Sequence, residues 1–205
     1  MTSPGKHSAD LTGVPETALM TLLVRATEAR RPDSIIAAPL AVHLVASIDY
    51  DFAKFGFSRR QDMALRALVF DKHARRYLVD HPKATVVALA EGLQTSFYRL
   101  NAAGVGTEFR WLTVDLPPMI DLRRKLLPAS DRVRLCAQSA LDFSWMDQVD
   151  PEHGVFITAE GLLGASATSG LIGGAATGTL GAASKGLART KALFPEATVT
   201  REAAD

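Results

Sequence analysis

Near residue 84 the sequence changes period. Ala84-Thr85-Val86-Val87-Ala88-Leu89-Ala90 is a short, continuous apolar run, stopped by Glu91-Gly92. A run that is apolar at consecutive positions is buried on both faces, which is how a parallel strand reads. Three more such runs follow, Phe109 to Asp115, Val133 to Ala137 and Gly154 to Ala159. Helical stretches at Gln94 to Ala103 and Pro118 to Leu127 separate the first three, the second carrying Arg123, Arg124 and Lys125. Strand, helix, strand, helix, strand predicts a doubly wound α/β sheet of about four parallel strands.

Upstream, apolar residues recur at helical spacing. Val14 to Arg31 places Leu19, Leu22, Leu23 and Ala26 on one side. A second helix runs from Ala41 to Ile48, and Asp49 to Ser58 is an aromatic turn segment. A third helix, Arg59 to Val79, sets Leu65, Leu68, Val69 and Tyr77 on or near one face. Pro32 and Pro82 punctuate this region. The three helices read as a cap over the sheet.

Composition narrows the function classes. Apolar residues make 47% and charged residues 22% of the chain, which suits a packed domain. A net charge of +1 argues against blanket phosphate neutralisation, so no nucleic-acid partner is expected. The single Cys136 excludes an internal disulfide and a multi-cysteine zinc site, and a reducing cytoplasm is the expected setting. Cys136 itself reads as packing in a strand. The histidines are scattered, so no metal is expected. Gly161 to Ser184 is uncharged and long enough to span a bilayer, but it is mostly Gly, Ala, Ser and Thr. Such residues contribute little insertion energy, so no membrane span is expected.

In an open parallel sheet, ligands bind beyond the carboxyl ends of the strands. Strand one ends at Glu91-Gly92, strand two at Asp115, strand three leads into Ser139-Ala140-Leu141-Asp142, and strand four ends at Glu160. Asp115 lies 23 residues after Gly92, close to the spacing of roughly 20 at which an acid reaches a ribose diol. Asp142 suits an adenine amino group. These ends describe a nucleoside pocket. The full glycine fingerprint of a nicotinamide site, a P-loop and a hydrolase nucleophile elbow are all missing from the sequence.

In these stretches the chain resembles the leucine carboxyl methyltransferase family, in its bacterial branch of tetracenomycin-type polyketide O-methyltransferases. The matching segments include Leu11 to Leu19, Arg30-Arg31-Pro32-Asp33, Ala84 to Leu100, Val114 to Ile120, Ser139 to Asp142, Ser144 to Asp147 and Phe156 to Leu163, in order. The resemblance implies a Rossmann-like class I methyltransferase sheet using S-adenosylmethionine. It implies methyl transfer to a carboxylate or hydroxyl oxygen of a small, polyketide-like molecule or of a protein C-terminus. It implies cofactor-binding roles for the loop Ala90, Glu91 and Gly92, for the ribose acid Asp115, for Leu141 and Asp142 beside the adenine, and for Glu160. It also assigns Arg66 to the methionine carboxylate, with Arg25 near the same end. No catalytic residue is assigned. Trp145 reads as a core aromatic rather than an adenine flank.

The expected division is a flexible leader at 1–13, a helical cap at 14–82, a cofactor-binding α/β core at 83–163 and a Gly/Ala-rich, low-complexity tail at 164–205. The chain departs from the family pattern at Ala90 (usually Gly), Gln94 (often Asp) and Ala38 (usually Asp). After Leu163 the family continues with a tyrosine-bearing helix and further strands, so the chain reads as a truncated or frame-shifted copy. A non-enzymatic cofactor-binding or self-associating module is therefore the alternative expectation, with room for a homo-oligomer.

Overall fold

A computed structural model describes residues 16–56, 61–159 and 198–201, the last four as a backbone path. Glu160, the leader and most of the tail, including 161–184, lie outside the described residues. The elements are α1 (Glu16–Ala29), α2 (Pro39–Ser47), a 3-10 turn (Phe52–Phe55), α3 (Gln61–Asp80), β1 (Thr85–Leu89), α4 (Ser96–Ala102), β2 (Arg110–Asp115), α5 (Pro117–Leu126), β3 (Val133–Ala137), a second 3-10 segment (Phe143–Gln148), β4 (Val155–Ala159) and β5 (Thr198–Arg201). Pro39 and Pro117 stand in the first turns of α2 and α5, where a missing N–H costs nothing.

All strand pairs are parallel, in the order β3-β2-β1-β4-β5. The chain steps outward from β1 to β2 to β3, then returns to the other side of β1 for β4. The reversal falls between β1 and β4, where Leu89 pairs with Ala159. Such a switch point opens a crevice at the carboxyl ends of the strands.

Alternation along the strands divides the core. Val86, Ala88, Trp111 and Phe156 face Ala74 and Leu78 of α3 and Phe97 and Leu100 of α4. Val87, Leu112, Val114, Val155 and Ile157 face the other way, against Trp145, Met146 and Val149. A third cluster joins α1 and α2 to Leu93, Met119 and Leu122, directly over the turn that leaves β1. The 20-residue α3, about 30 Å long, serves two clusters: Ala64 and Ala67 pack with α1 and α2, Ala74 and Leu78 with the sheet.

Three features differ from the sequence reading. Among the described residues the sheet has five strands, since 198–201 adds β5 beside β4 within the segment expected to be low-complexity tail. Thr198-Val199-Thr200 is β-branched throughout and suits a pleated surface, but four residues after a Gly/Ala tract give little periodicity to read. On α3 the buried stripe is Met63, Ala64, Ala67, Phe70, Ala74 and Leu78. Leu65, Leu68 and Val69, expected on the packed face, are 51%, 37% and 41% exposed. Both stripes have helical spacing; the alanine stripe is buried where α3 joins α1 and α2. The third difference is the 3-10 segment at Phe143–Gln148, capped by Asp142, whose carboxylate accepts from Ser144 N at 3.2 Å.

Among the described residues no helix is long and apolar enough to cross a membrane. No group of three or more His, Cys, Asp or Glu among them is placed to hold a metal ion.

Candidate cofactor site

The crevice is floored by the turn from β1 to α4. Ala90 has φ 50° and Gly92 φ 57°, so the chain twice enters the left-handed region within three residues. For Gly92 that conformation is free; for Ala90 it costs about 1–2 kcal/mol. Gly92 also sits against α1: a Cβ built there would lie 3.2 Å from Ala18 Cβ. The turn therefore needs glycine at 92 for space as well as for φ.

Asp115 closes the other side. It ends β2, is 8% exposed, and accepts from Gly92 N at 2.9 Å through Oδ2 and from Leu116 N at 2.8 Å through Oδ1. Burial pushes its carboxyl above the ordinary aspartate value, against the opposing pull of the two N–H groups and of Arg123. A carboxylate has about four lone-pair sites, so two backbone donors leave acceptor capacity for a vicinal diol. The residues present thus fit a ribose at this strand end.

Glu91 is engaged within the protein. Its carboxylate lies under the turn, accepting from Trp111 Nε1 at 3.1 Å and from Thr113 Oγ1, and pairs with Arg123 Nη2 at 3.0 Å. Burial raises its pKa, more strongly than Arg123, Thr113 and Trp111 lower it. In this turn Glu91 braces the backbone from below.

Arg25 is 2% exposed on α1 and donates from Nη2 to Leu93 O at 3.1 Å. Arg66 lies half-buried on α3, one turn before Phe70. Phe70, Leu89, Glu91 and Thr158 share the wall of a small cavity between α3 and the ends of β1 and β4. Leu141 and Asp142 follow β3, Leu141 partly buried and Asp142 exposed. Leu141 N bonds Ser139 Oγ at 3.2 Å and Asp142 N bonds Ser139 O at 3.0 Å, a tight turn that fixes both beyond the strand end. Trp145 is buried, with Nε1 donating to Ala140 O at 3.2 Å. It is a core residue, as is Cys136 in β3. The structure thus brings Arg25, Ala90, Glu91, Gly92 and Asp115 to one turn, with Leu141 and Asp142 two strands along.

Two groups escaped the sequence reading. Arg123 on α5 is 2% exposed and donates from Nη1 to Gly92 O at 2.6 Å and to Gln94 O at 3.0 Å. The signal was present: Arg123 falls three and four residues after the buried Ile120 and Met119, inside the apolar stripe of α5. Arg99 of α4 forms a bidentate pair with Asp71 of α3, at 2.6 and 3.0 Å, and also donates to Gln94, Thr95 and Ser96 side chains. A pair 28 residues apart on two helices leaves no local pattern to find.

A sequence model of the leucine carboxyl methyltransferase family matches residues 18–163. Among curated relatives, the tetracenomycin polyketide synthesis O-methyltransferase TcmP of Streptomyces glaucescens is 37% identical over 155 residues, 74% of this chain and 56% of that protein. The S-adenosyl-L-methionine-dependent methyltransferase dpfgK of Gibberella zeae is 30% identical over 173 residues, 77% of this chain and 57% of that protein. The chain spans a little over half the length of the curated relatives it matches. S-adenosylmethionine is the cofactor that goes with this family. By the extent of that match and by the sheet that carries it, the chain belongs to the leucine carboxyl methyltransferase family.

Proposed function

We propose that this chain binds S-adenosylmethionine across the ends of β1, β2 and β3. We propose further that it transfers the methyl group to a carboxylate or hydroxyl oxygen of a small, polyketide-like molecule or of a protein C-terminus. The observation that supports this best is the grip of Asp115 on the Gly92 turn, with acceptor capacity left for a diol. In this reading Asp115 holds the ribose, and the turn Ala90, Glu91 and Gly92 offers backbone to the ligand. Leu141 and Asp142 flank the adenine, and Arg66 holds the methionine carboxylate. Arg25 supports that end through Leu93. Glu160, which follows β4 in sequence, is assigned to the same ligand by the family pattern.

The cofactor supplies a methyl group already activated on a positive sulfonium. The protein's share is therefore alignment and the exclusion of water, and no acid–base pair is demanded. The apolar cluster of α1 and α2 over the turn provides the cover.

Incubation with methyl-labelled S-adenosylmethionine and a panel of aromatic hydroxy acids and C-terminal leucine peptides tests the proposal. Label appearing as a base-labile ester or a stable ether on an acceptor supports it and says which oxygen is methylated. Cofactor binding without transfer to any acceptor, together with concentration-dependent association, would replace it with a cofactor-binding module.

A further inference from the structure

Three consecutive backbone carbonyls of the turn that leaves β1, those of Gly92, Leu93 and Gln94, accept from side chains. Gly92 O and Gln94 O both accept from Arg123 Nη1, at 2.6 and 3.0 Å, and Leu93 O accepts from Arg25 Nη2 at 3.1 Å. The second terminal nitrogen of Arg123 meets the Glu91 carboxyl group at 3.0 Å, so a side chain of the same turn also partners the buried guanidinium. Arg123 side-chain exposure is 2% and that of Glu91 is 6%. A planar guanidinium presents its donors in a fixed fork, and a lysine ammonium cannot reproduce that fork in one plane.

The arrangement has a second half. Asp115 accepts from Gly92 N, while Arg123 donates to Gly92 O. Both side chains belong to one stretch, the end of β2 and the α5 that follows it. The two polar groups of a single glycine are thus held by one segment, and that segment also carries the acid that faces the ligand.

We infer that Arg123 is a positioning residue for the cofactor site: it fixes the 91–94 turn against Asp115 and thereby sets the affinity for the nucleoside part of the cofactor. The inference rests on the cofactor reading above. An arginine that only packed α5 onto the sheet would affect melting and leave the affinity of the folded protein unchanged.

The test uses the full chain as wild type, Arg123→Lys and Arg123→Met, with Arg124→Met as a control on the exposed side of α5. Three quantities are measured: the melting midpoint, the Kd for S-adenosylhomocysteine, and amide hydrogen exchange across residues 90–95 without ligand. The expected result is that both Arg123 variants keep β1 and β4 protected. Their 90–95 amides exchange faster, and Kd rises by about tenfold or more, the effect of losing one charge-assisted hydrogen bond. Arg124→Met matches wild type. Folded Arg123→Lys with turn exchange and Kd within about twofold of wild type would overturn the inference, whatever happens to the midpoint. If neither variant folds, the wild-type exchange profile decides. Amides at 91–94 as protected as those of β1 support the clamp, and amides exchanging like the 104–108 connection overturn it. Failure of wild type to bind S-adenosylhomocysteine, with turn exchange still responsive to Arg123, would sink the cofactor reading and the positioning role together. Binding indifferent to Arg123 would sink the positioning role alone.

Discussion

The backbone N–H of Gly92 meets Oδ2 of Asp115 at 2.9 Å, across 23 residues of sequence. That bond joins the ends of two neighbouring parallel strands, β1 and β2. It depends on a φ of 57° at Gly92 and on the absence of a side chain 3.2 Å from Ala18.

The two left-handed residues of the turn make opposite predictions. Ala90→Gly removes a strained φ of 50° and raises unfolding free energy by about 1 kcal/mol, less the entropy a glycine adds to the unfolded chain. Gly92→Ala lowers it by about 1–2 kcal/mol, since strain and the Ala18 contact act together. Urea denaturation of both variants checks this. A destabilised Ala90→Gly would show that the methyl group of Ala90 packs where the backbone geometry gives it only cost.

The buried Arg99–Asp71 pair ties α4 to α3, with side-chain exposures of 8% and 12%. Asp71→Ala strips the guanidinium of its balancing charge, and such losses cost about 3–5 kcal/mol. The remaining donations to Gln94, Thr95 and Ser96 hold the expected loss near the lower figure. A shift below about 0.5 kcal/mol in denaturant unfolding would mean that the pair is solvated in solution.

Stability should fall with rising pH through the titration of Glu91. Burial raises its folded pKa above the ordinary value of 4.5. The folded chain therefore keeps a proton that the unfolded chain has released, and unfolding releases protons in that window. The contribution is fully present below pH 4.5 and is lost as pH rises through the raised value. Glu91→Gln removes this slope, so its melting midpoint should vary less with pH above 4.5 than that of wild type. A steeper dependence in the variant would show that Arg123 outweighs burial and holds Glu91 ionised.

The exposed stripe of α3 gives a contrast. Leu65→Gln should change stability by less than about 0.5 kcal/mol, as for other surface sites. Phe70→Ala, at 6% exposure, should cost about 3–5 kcal/mol. Comparable losses in the two variants, read by thermal melting, would restore the packing that the sequence periodicity suggested.

Much of the fold was legible because parallel strands announce themselves. β3 falls at Val133–Ala137 as read, and β1, β2 and β4 differ from their expected bounds only at the ends. The strand ends followed from the same runs, so Gly92 and Asp115 could be named from spacing alone. α3 was harder, because two stripes of equal period compete and only tertiary packing selects between Ala67 and Leu68. β5 is four residues long and pairs with β4 across the 38 intervening positions 160–197, in which strand periodicity is absent from the sequence. Arg123 is one of three consecutive basic residues, and such a run does not by itself separate a buried arginine from an exposed one. Its place in the Met119–Ile120 stripe marked it as buried.

The ends of β1 and β2 are proposed to form a site for S-adenosylmethionine. Calorimetric titration of the chain with S-adenosylhomocysteine, beside Asp115→Ala, tests it most directly. Micromolar binding by wild type, lost in a variant that is still folded by circular dichroism, is the predicted result. No binding by folded wild type, or equal binding by Asp115→Ala, would contradict it.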